Sequence, residues 1–295
     1  MPEPLFRRLA LIGIGLIGSS VARIARARGD IAHTLVANAR TEATLARVRE
    51  LDLADETTLD PAEAARGADC VMLCAPVGAY AALAAAIGPH LAPGAIVTDV
   101  GSTKQSVIRD VAPHIPAHAH FVPAHPIAGT EYSGPDAGFT TLFEGRYTLL
   151  TPLPGGDPSA VEKIAELWRR CGALIETMDA AHHDRSLAVV SHLPHLIAFT
   201  ICGTADDLEE ESRQDVLRFA ASGFRDFTRI AASDPVMWRD VFLNNREALL
   251  EMLARFMEDA QAMARAVRWA DAAYIEDKVE RGRKIRRSLI ALNQA

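Results

Sequence analysis

Gly13-Ile14-Gly15-Leu16-Ile17-Gly18 is a GxGxxG run lying between an apolar stretch and an Ala-rich one. At a turn from strand into helix, the first glycine permits the tight turn, the second lets the backbone approach a pyrophosphate, and the third lets helix and strand pack closely. The phosphates then face the free N–H groups of the helix start. Gly13, Gly15, Leu16, Ile17 and Gly18 are therefore candidate cofactor contacts, set against the plain alternative of a glycine-rich turn. The residue that reads the ribose belongs about 20 residues further on, at the end of the second strand. Asn38 stands there, with Arg40 just beyond it, where an NAD enzyme usually carries Asp or Glu. An acid would repel a 2′-phosphate. Asn38 removes that repulsion, and Arg40 with Thr41 beside it can supply charge-assisted bonds. NADP is thus expected to be accepted, with a slight preference over NAD, unless Arg40 only covers the adenine or points to solvent.

Three further segments gather side chains able to move protons or hold carboxylates. They are Gly101-Ser102-Thr103-Lys104, then His125-Pro126-Ile127-Ala128-Gly129-Thr130-Glu131, then Ser191-His192-Leu193-Pro194-His195 together with Gly223-Phe224-Arg225-Asp226-Phe227-Thr228-Arg229. The HPIAGTE stretch followed by Ser133-Gly134, together with GFRDFTRIA, resembles the TyrA family of prephenate/arogenate (cyclohexadienyl) dehydrogenases. The resemblance runs from Leu9 to at least Trp238.

The resemblance implies oxidative decarboxylation of a cyclohexadienyl carboxylate, prephenate or arogenate, with hydride passing to NAD(P) on the route to tyrosine. Such a site must remove hydride from a ring carbinol carbon while its hydroxyl loses a proton. A histidine near neutral pKa within reach of that hydroxyl is the natural partner. His125, read as lying on a loop after a sixth strand, is the match. Ser102 reads in its own right as the N-cap of a following helix; the resemblance adds hydrogen bonding near the nicotinamide and His125. A substrate with two carboxylates calls for a buried cation, and arginine's fork suits a carboxylate. Residue type alone leaves Arg225 and Arg229 equal, with an ion pair to Asp226 as the ordinary use of either; the motif selects Arg229. Ser191 and His195, four residues apart, share a helical face that the resemblance turns toward the substrate. The resemblance also implies that Thr130 and Glu131 shape the pocket mouth, although an exposed loop carboxylate is the plain reading. It further brings Trp238 near the pocket, from its own or a second subunit, where core packing would equally suit a tryptophan. His192 and His195 are spaced like a metal pair, but no Cys or carboxylate nearby completes a shell, so no metal is expected. His182 and His183 read as polar residues of a first helical turn.

The elements that must position these groups follow from periodicity. To about residue 178, short β-branched runs alternate with Ala-rich amphipathic stretches, the pattern of βαβ units feeding a parallel sheet. Strands are expected at Leu9 to Gly13, Thr34 to Asn38, Cys70 to Ala75, Ala95 to Val100, Ala119 to Val122, Tyr147 to Thr151 and Leu174 to Thr177. Helices are expected at Leu16 to Gly29, Thr41 to Leu51, Gly78 to His90, Ser102 to His114 and Pro158 to Cys171. After Asp179 the β signal ends, and helical periodicity continues to residue 292, with turn signals near Gly203, Gly223 and Asp234-Pro235. Asp179 can N-cap a long helix through about Cys202, in which Pro194 should produce a kink. The expected fold is an α/β Rossmann-type dinucleotide-binding domain over residues 1–178, followed by an all-α substrate and dimerisation domain over 179–295. The helical part offers more apolar faces than it can bury alone, so a homodimer is expected.

Bulk properties narrow the class. A chain of 295 residues suits two domains, and 49% hydrophobic with 23% charged residues is the composition of a globular protein with a sizeable core. The net charge of -7 argues against nucleic acid as a partner. The one dense basic run, Lys278 to Arg287, reads as a solvated helix face. Cys70, Cys74, Cys171 and Cys202 form no CxxC pair, and with no uninterrupted apolar run of about 20 residues they suggest a cytoplasmic protein away from the membrane. Neither a mutase segment before Leu9 nor a regulatory domain after the helices is expected. A β-hydroxyacid dehydrogenase would need a lysine in the helical part, yet none occurs between residues 179 and 277. A dinucleotide-sensing regulator would keep the glycines without needing His125, Ser102 and Arg229 together.

Overall fold

The structure is a computed structural model that describes residues 3–208, 214–215 and 218–291; the helical expectation over 209–213, 216–217 and 292 lies outside the described residues. The first half alternates β1 (Phe6–Ile12), α1 (Leu16–Arg28), β2 (Ala32–Asn38), α2 (Glu42–Glu50), β3 (Glu56–Thr58), α3 (Pro61–Ala65), β4 (Cys70–Leu73), α4 (Tyr80–Ile87), β5 (Ile96–Asp99), α5 (Gln105–Val111) and β6 (His120–Val122). Their strands form one parallel sheet in the order β3-β2-β1-β4-β5-β6, so the order reverses between β1 and β4. Ligands of such sheets bind beyond the carboxyl ends of the strands at that reversal. The central strands are apolar on both faces because helices cover both; β4 is buried at every position.

The last three strands form a separate sheet and do not extend the first. β7 (Ala124–Pro126) pairs antiparallel with β8 (Tyr147–Leu150), and β8 runs parallel to β9 (Leu174–Thr177). Pro123 lacks an N–H to extend the first ladder, while its carbonyl accepts from Thr151 at 3.0 Å, so the chain changes partners there. α6 (Pro158–Arg170) joins β8 to β9 and buries Trp168 edge-on against Phe143, with ring centroids 5.1 Å apart.

The expected long helix from Asp179 is three segments, α7 (Ala180–Leu187), a π turn (Ala188–His192) and α8 (Leu193–Asp206). Asp179 caps it as expected, accepting from the His182 amide at 2.8 Å. At Pro194, where a kink is expected, the Leu193 amide reaches back five residues to Ala188, and this widened turn takes up the proline's missing donor and its ring. Together Ala180–Asp206 is long and apolar enough by composition to cross a membrane, although the sequence shows no unbroken apolar run. Polar His183, Asp184 and His192 interrupt it, and all three are buried. Helix breaks lie beside Gly203, three residues before α8 ends at Asp206, and beside Gly223, just after the non-helical Ala220 and Ala221; Asp234 ends a loop, capping α10 (Pro235–Asn244) through Met237 N–H at 2.8 Å. The helix before it, α9, spans Ser222–Thr228.

The chain divides into two compact units between Arg246 and Glu247. The second is a helix pair, α11 (Arg246–Arg268) and α12 (Ala272–Ala291), linked by Lys278 to Asp259 at 2.7 Å. Lys278 is half-buried in that pair, while the rest of the basic run, from Glu280 to Arg287, is exposed.

Candidate active site

The glycine run sits where β1 meets α1, at the sheet's reversal. Gly13 has φ +100, and a Cβ there would lie 2.8 Å from the carbonyl carbon of Cys74; one at Gly18 would lie 2.5 Å from the Gly13 oxygen. Both glycines are thus required by packing. Gly15 differs, since a Cβ at that position meets nothing within 4 Å. Gly15 is the N-cap of α1 and offers no side-chain bond to the first-turn amides of Leu16, Ile17 and Gly18, which leaves them for an anion. The residues present therefore fit a dinucleotide diphosphate. Asn38 ends β2; its Nδ2 donates to the Thr58 carbonyl at 3.1 Å, while Arg40 is exposed and Thr41 caps α2 through Thr44 N–H. Cys74 packs under the same turn, and burial pushes its thiol and that of Cys70 well above the ordinary range.

His125 does not lie on a loop. It is the central residue of β7, buried, because pairing with Leu149 of β8 draws the segment into a strand. Its Nδ1 is 2.9 Å from Nε2 of His183, and Nδ1 of His183 is 2.8 Å from Oδ1 of Asp184. His183 is thus no mere polar residue of the first helical turn. It is fully buried one turn into α7, whereas His182 is exposed as expected. Asp184 also accepts from the backbone amides of Lys104 at 2.7 Å and Gln105 at 2.9 Å. Burial favours its protonated form, but the bonds from His183, Gln105 and Lys104 outweigh that and hold its pKa below the usual value. Burial, then the neighbouring His183, Lys104 and His192, push His125 well below the ordinary histidine range, so it is neutral at neutral pH.

Ser102 is not the helix cap. α5 begins at Gln105, three residues later, because the Asp184 carboxylate already satisfies the amides of Lys104 and Gln105. Ser102 is a half-buried residue of the turn between β5 and α5. That turn is pinned by Lys104, whose buried ammonium bonds Asp99 and donates to the Ala124 carbonyl at 2.8 Å, directly before His125. Burial raises Asp99 and lowers Lys104, each opposed by the other's charge.

The helical wall brings together several expected residues. Nδ1 of His195 donates to the Ser191 carbonyl at 2.9 Å, leaving Nε2 as the acceptor, and its ring stacks on Trp238 at 3.7 Å. Trp238 is buried among His192, His195, Phe199 and Phe242, so the packing reading of that tryptophan holds alongside its place beside His195. His192 accepts at Nδ1 from Asn245 at 2.9 Å, and burial lowers its pKa to about 4. Arg229, in a short 3-10 turn after α9, places Nη1 3.8 Å from Oε2 of Glu131, which unites two expected site residues across 98 positions of sequence. Thr130 is exposed and accepts from the Tyr132 amide. Among the described residues no group of three or more His, Cys, Asp or Glu side chains could hold a metal ion.

A diphosphate cradle at the sheet reversal, with a neutral buried histidine carried on a neighbouring strand and faced by helices, defines a nicotinamide-dinucleotide dehydrogenase built from a Rossmann domain and a helical one. Family models sharpen this. One for the prephenate dehydrogenase nucleotide-binding domain matches residues 21–177, and one for the prephenate dehydrogenase dimerization domain matches 179–280. The chain belongs to the prephenate dehydrogenase family. It is 41% identical to a cyclohexadienyl dehydrogenase of Zymomonas mobilis over 96% of both chains, and 31% identical to a prephenate dehydrogenase of Lactococcus lactis over 96% of this chain and 77% of that one. Its fold matches the crystal structure of Aquifex aeolicus prephenate dehydrogenase in complex with hydroxyphenyl propionate and NAD+, with TM-score 0.86, 31% identity, and 96% and 98% of the two chains covered. It also matches Synechocystis arogenate dehydrogenase with TM-score 0.78 and 26% identity over 95% and 99% of the chains.

Proposed function

We propose that this enzyme oxidises and decarboxylates prephenate, arogenate or both in tyrosine biosynthesis, with His125 as proton acceptor. What supports the reading most is the state of His125, a buried imidazole that is neutral at neutral pH and whose Nδ1 lies 2.9 Å from Nε2 of His183. The bound dinucleotide supplies the hydride acceptor. Gly13, Gly15, Leu16, Ile17 and Gly18 hold its diphosphate, and Asn38 with Arg40 meets the adenosine ribose. His125 takes the ring hydroxyl proton as hydride leaves the same carbon. The ring carboxylate then departs as carbon dioxide, its bonding pair aromatises the ring, and the proton held by His125 returns to the ring oxygen, giving 4-hydroxyphenylpyruvate from prephenate or tyrosine from arogenate. Ser102 orients His125 and the nicotinamide. Arg229 receives a substrate carboxylate, displacing Glu131, whose 3.8 Å separation marks a weak, partly exposed contact. His195, Ser191, Thr130 and Trp238 complete the substrate wall.

In this reading residues 1–178 hold the cofactor and 179–295 the substrate and subunit contacts, in a cytoplasmic homodimer. Exposed Val189, Val190 and Ile201 on the Ala180–Asp206 run are apolar surface for that contact. An active monomer in sedimentation would exclude the dimer. NADP is accepted slightly ahead of NAD. Cofactor reduction measured with prephenate and with arogenate in parallel tests the activity; no reduction with either would refute it.

A further inference from the structure

Two buried groups, His183 and Asp184, stand in line behind the proposed base. Asp184 is ionised and accepts at Oδ1, so the proton between it and His183 resides on Nδ1 of His183. A neutral imidazole carries one N–H, which makes Nε2 of His183 an acceptor. The proton in the 2.9 Å contact must then belong to Nδ1 of His125. The carboxylate thereby sets two tautomers in series, and the lone pair of His125 is left on Nε2. The same carboxylate holds the Lys104 and Gln105 amides that close the Ser102 turn. Lys104, paired with Asp99, is the cation facing this line, and His192 is the remaining titratable neighbour.

We propose that His183 and Asp184 are positioning residues for the reaction: they fix the His125 tautomer with its base at Nε2 and stabilise the imidazolium formed when His125 takes the substrate's proton. The proposal rests on His125 being the proton acceptor. One proton moves, from the ring hydroxyl to Nε2 of His125, and none needs to pass along the line. The arrangement has the logic of a carboxylate orienting a catalytic imidazole, with a second imidazole interposed because β7 and α7 hold Asp184 one ring too far from His125 for direct contact.

The test uses the full-length enzyme with selectively ¹⁵N-labelled histidine, together with the variants His183→Leu and His183→Gln. In the wild type His125 should show a single neutral tautomer protonated at Nδ1. His183→Leu removes the acceptor and should lower kcat about 10²- to 10³-fold, within the range of general-base catalysis, while substrate KM and dinucleotide Kd stay within about threefold. His183→Gln offers an amide oxygen to the same N–H and should recover kcat to within about tenfold of wild type. Protonation of wild-type His125 at Nε2 would overturn the proposal whatever the activity. So would a Leu variant with kcat within about threefold of wild type, or a Gln variant as impaired as Leu, which would mark a merely structural role. The tautomer is read without substrate, so its outcome is separate from the choice between prephenate, arogenate or neither.

Discussion

Gly15→Ala separates cofactor binding from folding. Gly15 has φ -77 and ψ -161, in the extended region open to any residue, and the added methyl would meet no protein atom within 4 Å. Replacing glycine where alanine fits gains about 0.4–1 kcal/mol by narrowing the unfolded ensemble. Alanine is the poorer helix N-cap by about 0.5–1 kcal/mol. The two nearly cancel, so Tm should move by less than about 3 °C. Binding has no such offset. The methyl projects into the space where the diphosphate meets the α1 amides, and a hydrogen bond to a charged group is worth about 1.5–3 kcal/mol. At about 1.4 kcal/mol per tenfold, dinucleotide Kd should rise about 10- to 100-fold. Gly18→Ala is the internal control. Its Cβ would meet the Gly13 oxygen at 2.5 Å, and overpacking of about 1–3 kcal/mol should lower Tm by about 2–10 °C. Thermal melts paired with dinucleotide titration by fluorescence read both variants. If Gly15→Ala binds within about threefold of wild type, or melts as low as Gly18→Ala, the diphosphate does not lie against this turn.

The remaining expectations concern the substrate half and the ribose. His125→Asn should lower kcat by about 10²–10⁴ with dinucleotide Kd near wild type; retention of most of kcat would remove His125 as the base. Arg229→Gln should chiefly raise substrate KM, because a carboxylate contact is present in ground and transition states alike, and a larger KM effect from Arg225→Gln would show that the other arginine binds it. Asn38→Asp should shift the NAD/NADP ratio of kcat/KM toward NAD. It also turns the Thr58 contact from donor-to-acceptor into two acceptors, so some loss of stability should accompany the shift; a wild type that uses NAD strictly would contradict the assignment of Arg40.

The groups legible in the sequence are those whose signal is local. β1, α1 and β2 follow from an apolar run, a glycine turn and a second apolar run, the Asp179 cap from its place before a helical pattern, and the loop end at Asp234 from the Asp-Pro turn signal. β3 carries no sequence signal because Glu56–Thr58 is three polar residues at a sheet edge, too short for any alternation. Sequence alone places His125 on a loop because Ala124–Pro126 becomes a strand only by pairing with Leu149, 24 positions away. His183 escaped for the same reason, since its partners are His125, 58 positions earlier, and a carboxylate whose ligands lie 79 and 80 positions earlier. A signal was present: adjacent His183-Asp184 one turn past an N-cap, leading into the apolar stretch from Leu187 onward, places two ionisable groups where burial demands that each find a partner. The Arg229–Glu131 contact had no such signal, as both motifs were visible but nothing in their spacing linked them.

The widened turn at Ala188–His192 makes this stretch a ruler of chain length as well as a support. An α-helix advances about 100° per residue, so a turn that holds one residue more than usual sets every later side chain about 100° around from where an uninterrupted helix would put it. His195 lies under Trp238 because of that offset, and Pro194 falls where its missing N–H does no harm. Substitutions at exposed Val189 or Val190 leave the count intact. Loss of one residue between Ala188 and His192 would restore a regular helix and rotate His195 off the indole, so length here is constrained more tightly than composition. The same holds for comparing relatives: a gap placed within these five residues changes which histidine is matched to the site.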